Sequence, residues 1–400
     1  MRVLVIDEEL PFPVNTGKRL RTFNLLKFLA PNHEITFMCR QPDGNNTVNC
    51  DAFEKLGINV ITVPHPILKK EGLKFYLSLF ANLFSVYPYS VSSHYSGMIV
   101  EAIKTEVNKK CYDLIHCEWT PYAINLKQFV KIPIVLNAHN VEAMIWKRNV
   151  EVAKNPVLKA YVWLQWKKMV RFERKAFVQF KGIATVSEPD KAVISKTFSP
   201  EKIMVIENGV DVNYFQSSNN SMQPLSLVFT GSMDWRPNVD AMIYFLDCIW
   251  PLLVEKCPEV RLTIVGRNPM PALKMRVAGE NNVKLTGTVD DVRPFISQAA
   301  VYIVPLRVGG GSRLKILEAL SMKKAVVSTT IGAEGLDLSP EKDIVIADSP
   351  EDFAHQIVAL FADEVLCREL AMTGQKTILK SYQWHNIAKK LDRLWREAVK

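Results

Sequence analysis

Short, almost continuously apolar runs recur along this chain, at residues 3–6, 35–38, 60–63, 114–116, 134–136 and 183–186. Between several of them the apolar positions take helical spacing, as at Leu20, Phe23, Leu26 and Leu29. Buried strands alternating with helices predict a parallel sheet covered on both faces. The texture changes over residues 207–226, where Asn, Ser, Gln and Gly crowd together as in a connector. The alternation then restarts, with strands predicted at 227–229, 262–265, 283–285, 301–304, 325–328 and 344–347. The pattern therefore predicts an α/β chain of two domains, 1–207 and 208–383, facing each other across a cleft. Ligands of such sheets bind beyond the carboxyl ends of the strands. The tail, 384–400, reads as an amphipathic helix with Ile387, Leu391, Leu394 and Trp395 on one side.

Composition narrows this picture without redirecting it. A chain of 400 residues exceeds what one core normally covers. Its 48% hydrophobic and 23% charged content is that of globular chains. No apolar run reaches the roughly 18 to 20 residues of a membrane span. Acids at residues 7–9 come too early for the apolar core of a signal peptide. Seven scattered cysteines without a C-x-x-C pair are expected to be reduced thiols, and the protein to be cytoplasmic. The net charge of +9 suits an acidic partner: a nucleotide, an anionic membrane surface or nucleic acid.

The most informative stretch is VGGGSRLKILEAL, 308–320. It follows the predicted strand at 301–304. Gly309, Gly310 and Gly311 allow close approach of another group to the backbone. Ser312 is a suitable N-cap for the helix behind it, and the unpaired N–H groups of a helix start suit phosphate. Lys315 and Glu318 share a helix face, so Lys315 is placed to touch phosphate while Glu318 accepts from ribose hydroxyls. Arg313 reaches the same ligand only if it precedes the regular helix. The plain alternative is a tight turn with surface cations. Other phosphate motifs are absent: no G-x-G-x-x-G follows the first strand, and NTGKRL lacks the earlier glycine of a Walker loop. Gly17 opens a helix after the first strand and offers a second small loop. Arg19 and Arg21 beside it are equally consistent with solvated charges.

Taken in order, the glycine loop after strand one, HNVE (139–142), VSE (186–188), NGVD (208–211), TGSMDWRPNVDA (230–241), IVGRNP (264–269), LTGTVDDV (285–292) and GGGSRLKILEAL with VVST and GAEGL behind it resemble the GT-B glycosyltransferases of retaining family 4. The resemblance covers nearly the whole chain. It implies two Rossmann-like domains with parallel sheets facing a central cleft, and a C-terminal helix packing back on the N-terminal domain. It implies transfer of a sugar, with retention, from a nucleotide-diphosphate donor of UDP or GDP type held by the C-terminal domain. Glu318 matches the second glutamate of the family's E-x7-E motif, which holds the ribose. His139 matches a histidine near the donor sugar, and Gly17 the loop approaching the diphosphate. Gly231, Ser232, Arg236, Gly266, Asn268, Val289, Gly310, Gly311 and Ser312 complete the expected donor contacts. Two positions depart from the pattern: Gly310 stands where the first glutamate falls, and Ser232 and Asn238 where many members carry Arg and Lys. The phosphate-neutralising role therefore moves to Lys315 and Arg313, with Arg236 behind them.

No D-x-D motif is present, so no metal and no cofactor is expected. Fixed cations, loop amides and a helix N-terminus would stabilise the leaving diphosphate instead. Glu142 is a candidate to cap or orient His139, and His116, in the predicted strand of DLIHCEW, is a weaker site candidate. Residues 147–181 hold ten Lys or Arg against Glu151 and Glu173, interleaved with aromatics. With 68–89 they read either as ordinary helices with solvated faces or as peripheral membrane contacts. A glycan or lipid-linked acceptor at the inner face of the membrane would follow from the second reading, in cell-surface or exopolysaccharide assembly. No nucleic-acid motif accompanies the basic patch. A GT-B nucleotide-sugar 2-epimerase and a non-catalytic nucleotide-sugar-binding subunit remain as alternatives.

Overall fold

The computed structural model describes the chain except residues 15, 42–49, 65–70, 154, 197–198, 200–201, 218–221 and 309–312, and the side chain of residue 152. The chain divides into two compact units, Met1–Glu207 with Ile387–Lys400, and Asn208–Asn386.

The first unit is built on seven parallel strands: β1 (Arg2–Asp7), β2 (Glu34–Arg40), β3 (Asn59–Val63), β4 (Leu114–Cys117), β5 (Ile134–Ala138), β6 (Gly182–Thr185) and β7 (Ile203–Val205). Their order is β3-β2-β1-β4-β5-β6-β7. Every residue of β4, β5 and β6 is buried, as expected of strands covered on both faces. Six of these strands coincide with apolar runs. The seventh, β7, is an edge strand whose Ile203 is buried and whose Met204 and Val205 are partly buried; it is apolar too, but three residues are too short a run to mark a strand. Helix Gly17–Leu29 starts where the Thr16 side chain accepts from the Arg19 amide at 3.3 Å. Its buried face holds Leu25, Leu26 and Leu29, and also Arg21, Thr22 and Asn24. Arg21 is therefore not a solvated charge: its guanidinium donates to the Glu207 carbonyl at 2.7 Å and to Asn137 at 3.2 Å. Arg19 is paired as well, with Glu9. Helix Trp384–Val399 begins in the second unit, and from Ile387 onward it belongs to the first, where Ile387, Leu391, Leu394 and Trp395 are buried.

The second unit holds six parallel strands: β8 (Ser226–Thr230), β9 (Arg261–Val265), β10 (Val283–Leu285), β11 (Val301–Val304), β12 (Ala325–Ser328) and β13 (Val345–Ile346). Their order is β10-β9-β8-β11-β12-β13. The helical stretch 236–256 is long and apolar enough by composition to cross a membrane. Its Met242, Phe245, Leu246, Ile249 and Leu253 nonetheless lie in this core. In both sheets the strand order reverses beside the first strand, between β1 and β4 and between β8 and β11. Such reversals open a crevice at the carboxyl edge.

Candidate active site

In the second unit the crevice is lined from three directions. The turn after β8 carries Gly231 and Ser232, the turn after β9 carries Gly266, Arg267 and Asn268, and helix Leu314–Ser321 brings Lys315 and Glu318. The two turns are bonded together, Gly231 N–H to the Val265 carbonyl and Met233 N–H to the Arg267 carbonyl, each at 2.9 Å. Gly266 has no room for a side chain, since a Cβ there would lie 1.7 Å from the Gly231 carbonyl oxygen. A Cβ on Gly231 would meet Asn238 Nδ2 at 2.7 Å and Lys315 Nζ at 3.0 Å. Both glycines thus let backbone and cation close on one point. Asn268 takes a left-handed φ of 49° and donates to Asp234 at 3.3 Å.

Lys315 is the centre of this cluster. Its Nζ donates to Asn238 Oδ1 at 2.9 Å and lies 4.0 Å from the centroid of the Phe229 ring. Burial lowers its ammonium to about 7, with Arg313 adding and Glu318 opposing. Burial raises the Glu318 carboxyl to about 7, with Lys315 opposing. Arg313 precedes the regular helix, as its predicted role requires, and pairs with Glu334 at 3.4 Å. Gly310, Gly311 and Ser312 lie outside the described residues, so the expected N-cap and glycine contacts are not placed. Arg236 is exposed at the start of helix Arg236–Tyr244, and Val289 packs on the core. Neither contributes a bond to the Lys315 cluster among the described residues.

Sequence reasoning missed Arg267. Its Nε donates to Ser232 Oγ at 2.8 Å. The two positions that lack the family's cations are therefore each hydrogen-bonded by a cation from another element: Ser232 by Arg267, and Asn238 by Lys315. The only sequence signal was the arginine in IVGRNP.

In the first unit, polar groups gather at the ends of β1, β4 and β5. Lys18 donates to Asp7 at 2.6 Å and Glu8 at 2.8 Å, one residue into the helix that Gly17 opens. Burial lifts Asp7 to about 7 against the pull of Lys18. Burial would raise Glu8 too, but hydrogen bonding from His94 and the Lys18 ammonium bring it down to about 2. His139 follows β5, and its Nε2 meets Glu118 Oε2 at 2.9 Å. Glu118 is fully buried, and its other oxygen meets His116 Nε2 at 3.1 Å. Burial would raise the Glu118 carboxyl; hydrogen bonds from the two histidines hold it well below the usual range. Burial lowers His139, against the upward pull of Glu118. The residue that orients His139 is thus Glu118. Glu142, the candidate for that task, instead accepts from Trp119 Nε1 at 2.9 Å.

The chain matches two family descriptions: "Glycosyltransferase Family 4" over residues 19–214 and "Glycosyl transferases group 1" over residues 224–363. It is 21% identical over 393 residues to an uncharacterized 44.6 kDa protein in the cps region of Klebsiella pneumoniae, covering 95% of this chain and 96% of that one. It is 22% identical over 377 residues to the uncharacterized glycosyltransferase MJ1607 of Methanocaldococcus jannaschii, covering 86% and 90%. Among solved structures it resembles the sucrose-phosphate synthase of Thermosynechococcus elongatus, with TM-score 0.73, 16% identity and coverage of 99% and 98%. It also resembles Anabaena Alr3699/HepE in complex with UDP and glucose, with TM-score 0.67, 14% identity and 98% of each chain covered. These two likenesses carry the fold. With both halves of the chain matched and both sheets in place, the chain belongs to the GT-B glycosyltransferases of the group 1, family 4 type.

Proposed function

We propose that this glycosyltransferase draws its sugar from a nucleotide-diphosphate donor of UDP or GDP type and passes it, with retention, to a glycan or lipid-linked acceptor in cell-surface polysaccharide assembly. The observation that carries the donor reading is Lys315, a half-buried ammonium seated against the glycine-lined turn at Gly231, one helical turn from Glu318. Such a cation, with Arg313 and Arg267 nearby, would neutralise the diphosphate as the glycosidic bond breaks, with no metal or cofactor in the reading. The complex of Anabaena HepE with UDP and glucose supports a donor of this class. Lys315→Ala is expected to cut kcat/KM about 10²- to 10³-fold, with the fold intact by far-UV circular dichroism. An unaltered kcat/KM overturns the assignment, and release of free epimerised sugar in place of a glycoside overturns the transfer reading.

The same proposal places the enzyme in the cytoplasm, against an anionic membrane. Helix Gly72–Asn82 supports this. Its Leu73, Tyr76, Leu77 and Phe80, with Phe84 beyond, form one stripe, and exposure runs from 57% at Leu77 to 82% at Phe84. Asn82, on the opposite side, is buried against Gln165 and Tyr87. An apolar stripe turned outward beside cations is the arrangement of an interfacial helix, and each nearby cation adds about 1 kcal/mol at an anionic surface. Sedimentation with phosphatidylglycerol vesicles should show binding at low salt that fades as salt rises; absence of binding at low salt removes this part.

A further inference from the structure

We propose that Glu118 is a positioning residue which, with Trp395 and His116, locks His139 with its proton on Nε2 and its lone pair on Nδ1, so that Nδ1 is the acceptor for a substrate hydroxyl. Two groups at the ends of the network can only donate. Trp395 Nε1 approaches His116 Nδ1 at 3.0 Å. An indole N–H has no lone pair to offer, so Nδ1 of His116 must be bare and its proton must sit on Nε2. His116 therefore donates to Glu118 Oε1. At the other end, Arg21 Nη2 donates to Asn137 Oδ1 at 3.2 Å. Guanidinium cannot accept, so the Asn137 amide is fixed with Nδ2 toward Glu118, which it meets at 2.9 Å. Every bond in the chain runs inward to one buried carboxylate.

That carboxylate leaves His139 a single choice. Facing an ionised oxygen already bonded by Asn137, His139 Nε2 must donate. No bond to Nδ1 is found among the described residues, and the side chain keeps 9% of its surface exposed. His116 cannot take a second proton without breaking its bond to Trp395. In this network, then, only Nδ1 of His139 is open to hydroxyl or proton. The charged groups facing the pair are Arg21 and Lys18 from the helix that Gly17 opens, and Asp7 at the end of β1. Trp395 comes from residues 387–400, so the tail of the chain sets the tautomer of a ring in β4.

The inference rests on the reading of His139 as a sugar contact only for its catalytic meaning; the tautomers themselves belong to the free protein. Two measurements separate the parts. In the unmodified protein labelled with 15N-histidine, long-range 1H–15N spectra at neutral pH should show His116 and His139 both protonated at Nε2 with Nδ1 bare. A proton on Nδ1 of either ring overturns the lock. In Glu118→Gln the carboxamide must turn an N–H toward His139, which moves its proton to Nδ1. The variant is expected to lose kcat/KM about tenfold or more. The acidic limb of its pH profile should move to lower pH by roughly one unit, because the counter-charge that favours the imidazolium is gone. A Glu118→Gln profile that superimposes on the unmodified enzyme, with the tautomers as described, overturns the role of Nδ1 while leaving the lock standing.

Discussion

Lys315 and Glu318 are displaced toward the same pH from opposite sides, which gives the proposed donor site a distinctive proton balance. Burial brings Lys315 down to about 7 and Glu318 up to about 7. Between the ordinary glutamate value and pH 7, the folded protein holds a proton on Glu318 that the unfolded chain lacks, so this group's stabilisation is lost as pH rises. Between pH 7 and the ordinary lysine value the unfolded chain holds the extra proton, on Lys315, so stability rises with pH. The pair alone thus places a stability minimum near pH 7. A diphosphate favours charged Lys315, and ribose hydroxyls favour ionised Glu318. Nucleotide-diphosphate binding should therefore release a proton below pH 7 and take one up above it. Calorimetry in two buffers of different ionisation heat measures the sign, and Lys315→Met should abolish the uptake branch alone. Gly266→Ala is expected to destabilise the second unit by about 1–3 kcal/mol in urea unfolding, because its Cβ would overlap the Gly231 carbonyl and crowd Met233 Cγ at 3.1 Å. At this scale the sequence was readable where one residue announces itself beside a strand end, as with His139 and Lys315. It was unreadable where the partner comes from another strand. Glu118 lies 21 positions before His139, whereas Glu142 is near in sequence and far from the task.

Elements were legible to the extent that apolar spacing reports burial. Twelve of the thirteen described strands were read from apolar runs; β7 is apolar as well, but a run of three residues is too short to stand out as a strand. Spacing gives a stripe but not which way it turns. In helix Gly72–Asn82 the apolar stripe faces outward, because Gln165 and Lys168 of helix Pro156–Phe177 hold its other side at Asn82 and Leu83. Lys168 and Glu173, both part of an apparently solvated charge run, are in fact buried. Replacing Leu77 and Phe80 together by Ser should leave unfolding free energy within about 0.5 kcal/mol per site. The same change should sharply reduce sedimentation with anionic vesicles. Loss of stability with vesicle binding intact would mean that the stripe packs inside the protein.

The whole molecule consists of two units with separate cores, one of them interrupted in sequence by the other. A ligand that binds only the second unit should stabilise that unit alone, by about 2.7 kcal/mol at 100 times its Kd. Hydrogen exchange with UDP present should show slower exchange in residues 208–386 and no change at β2 and β3; protection spread evenly over both would contradict a donor site confined to the second unit. The interruption also has a bearing on biosynthesis. Trp395 and the buried leucines near it are translated only after the entire second unit has emerged. A polypeptide cut short after Asn386 would leave the first unit without the buried side chains of Ile387, Leu391, Leu394 and Trp395, and His116 Nδ1 without its indole donor.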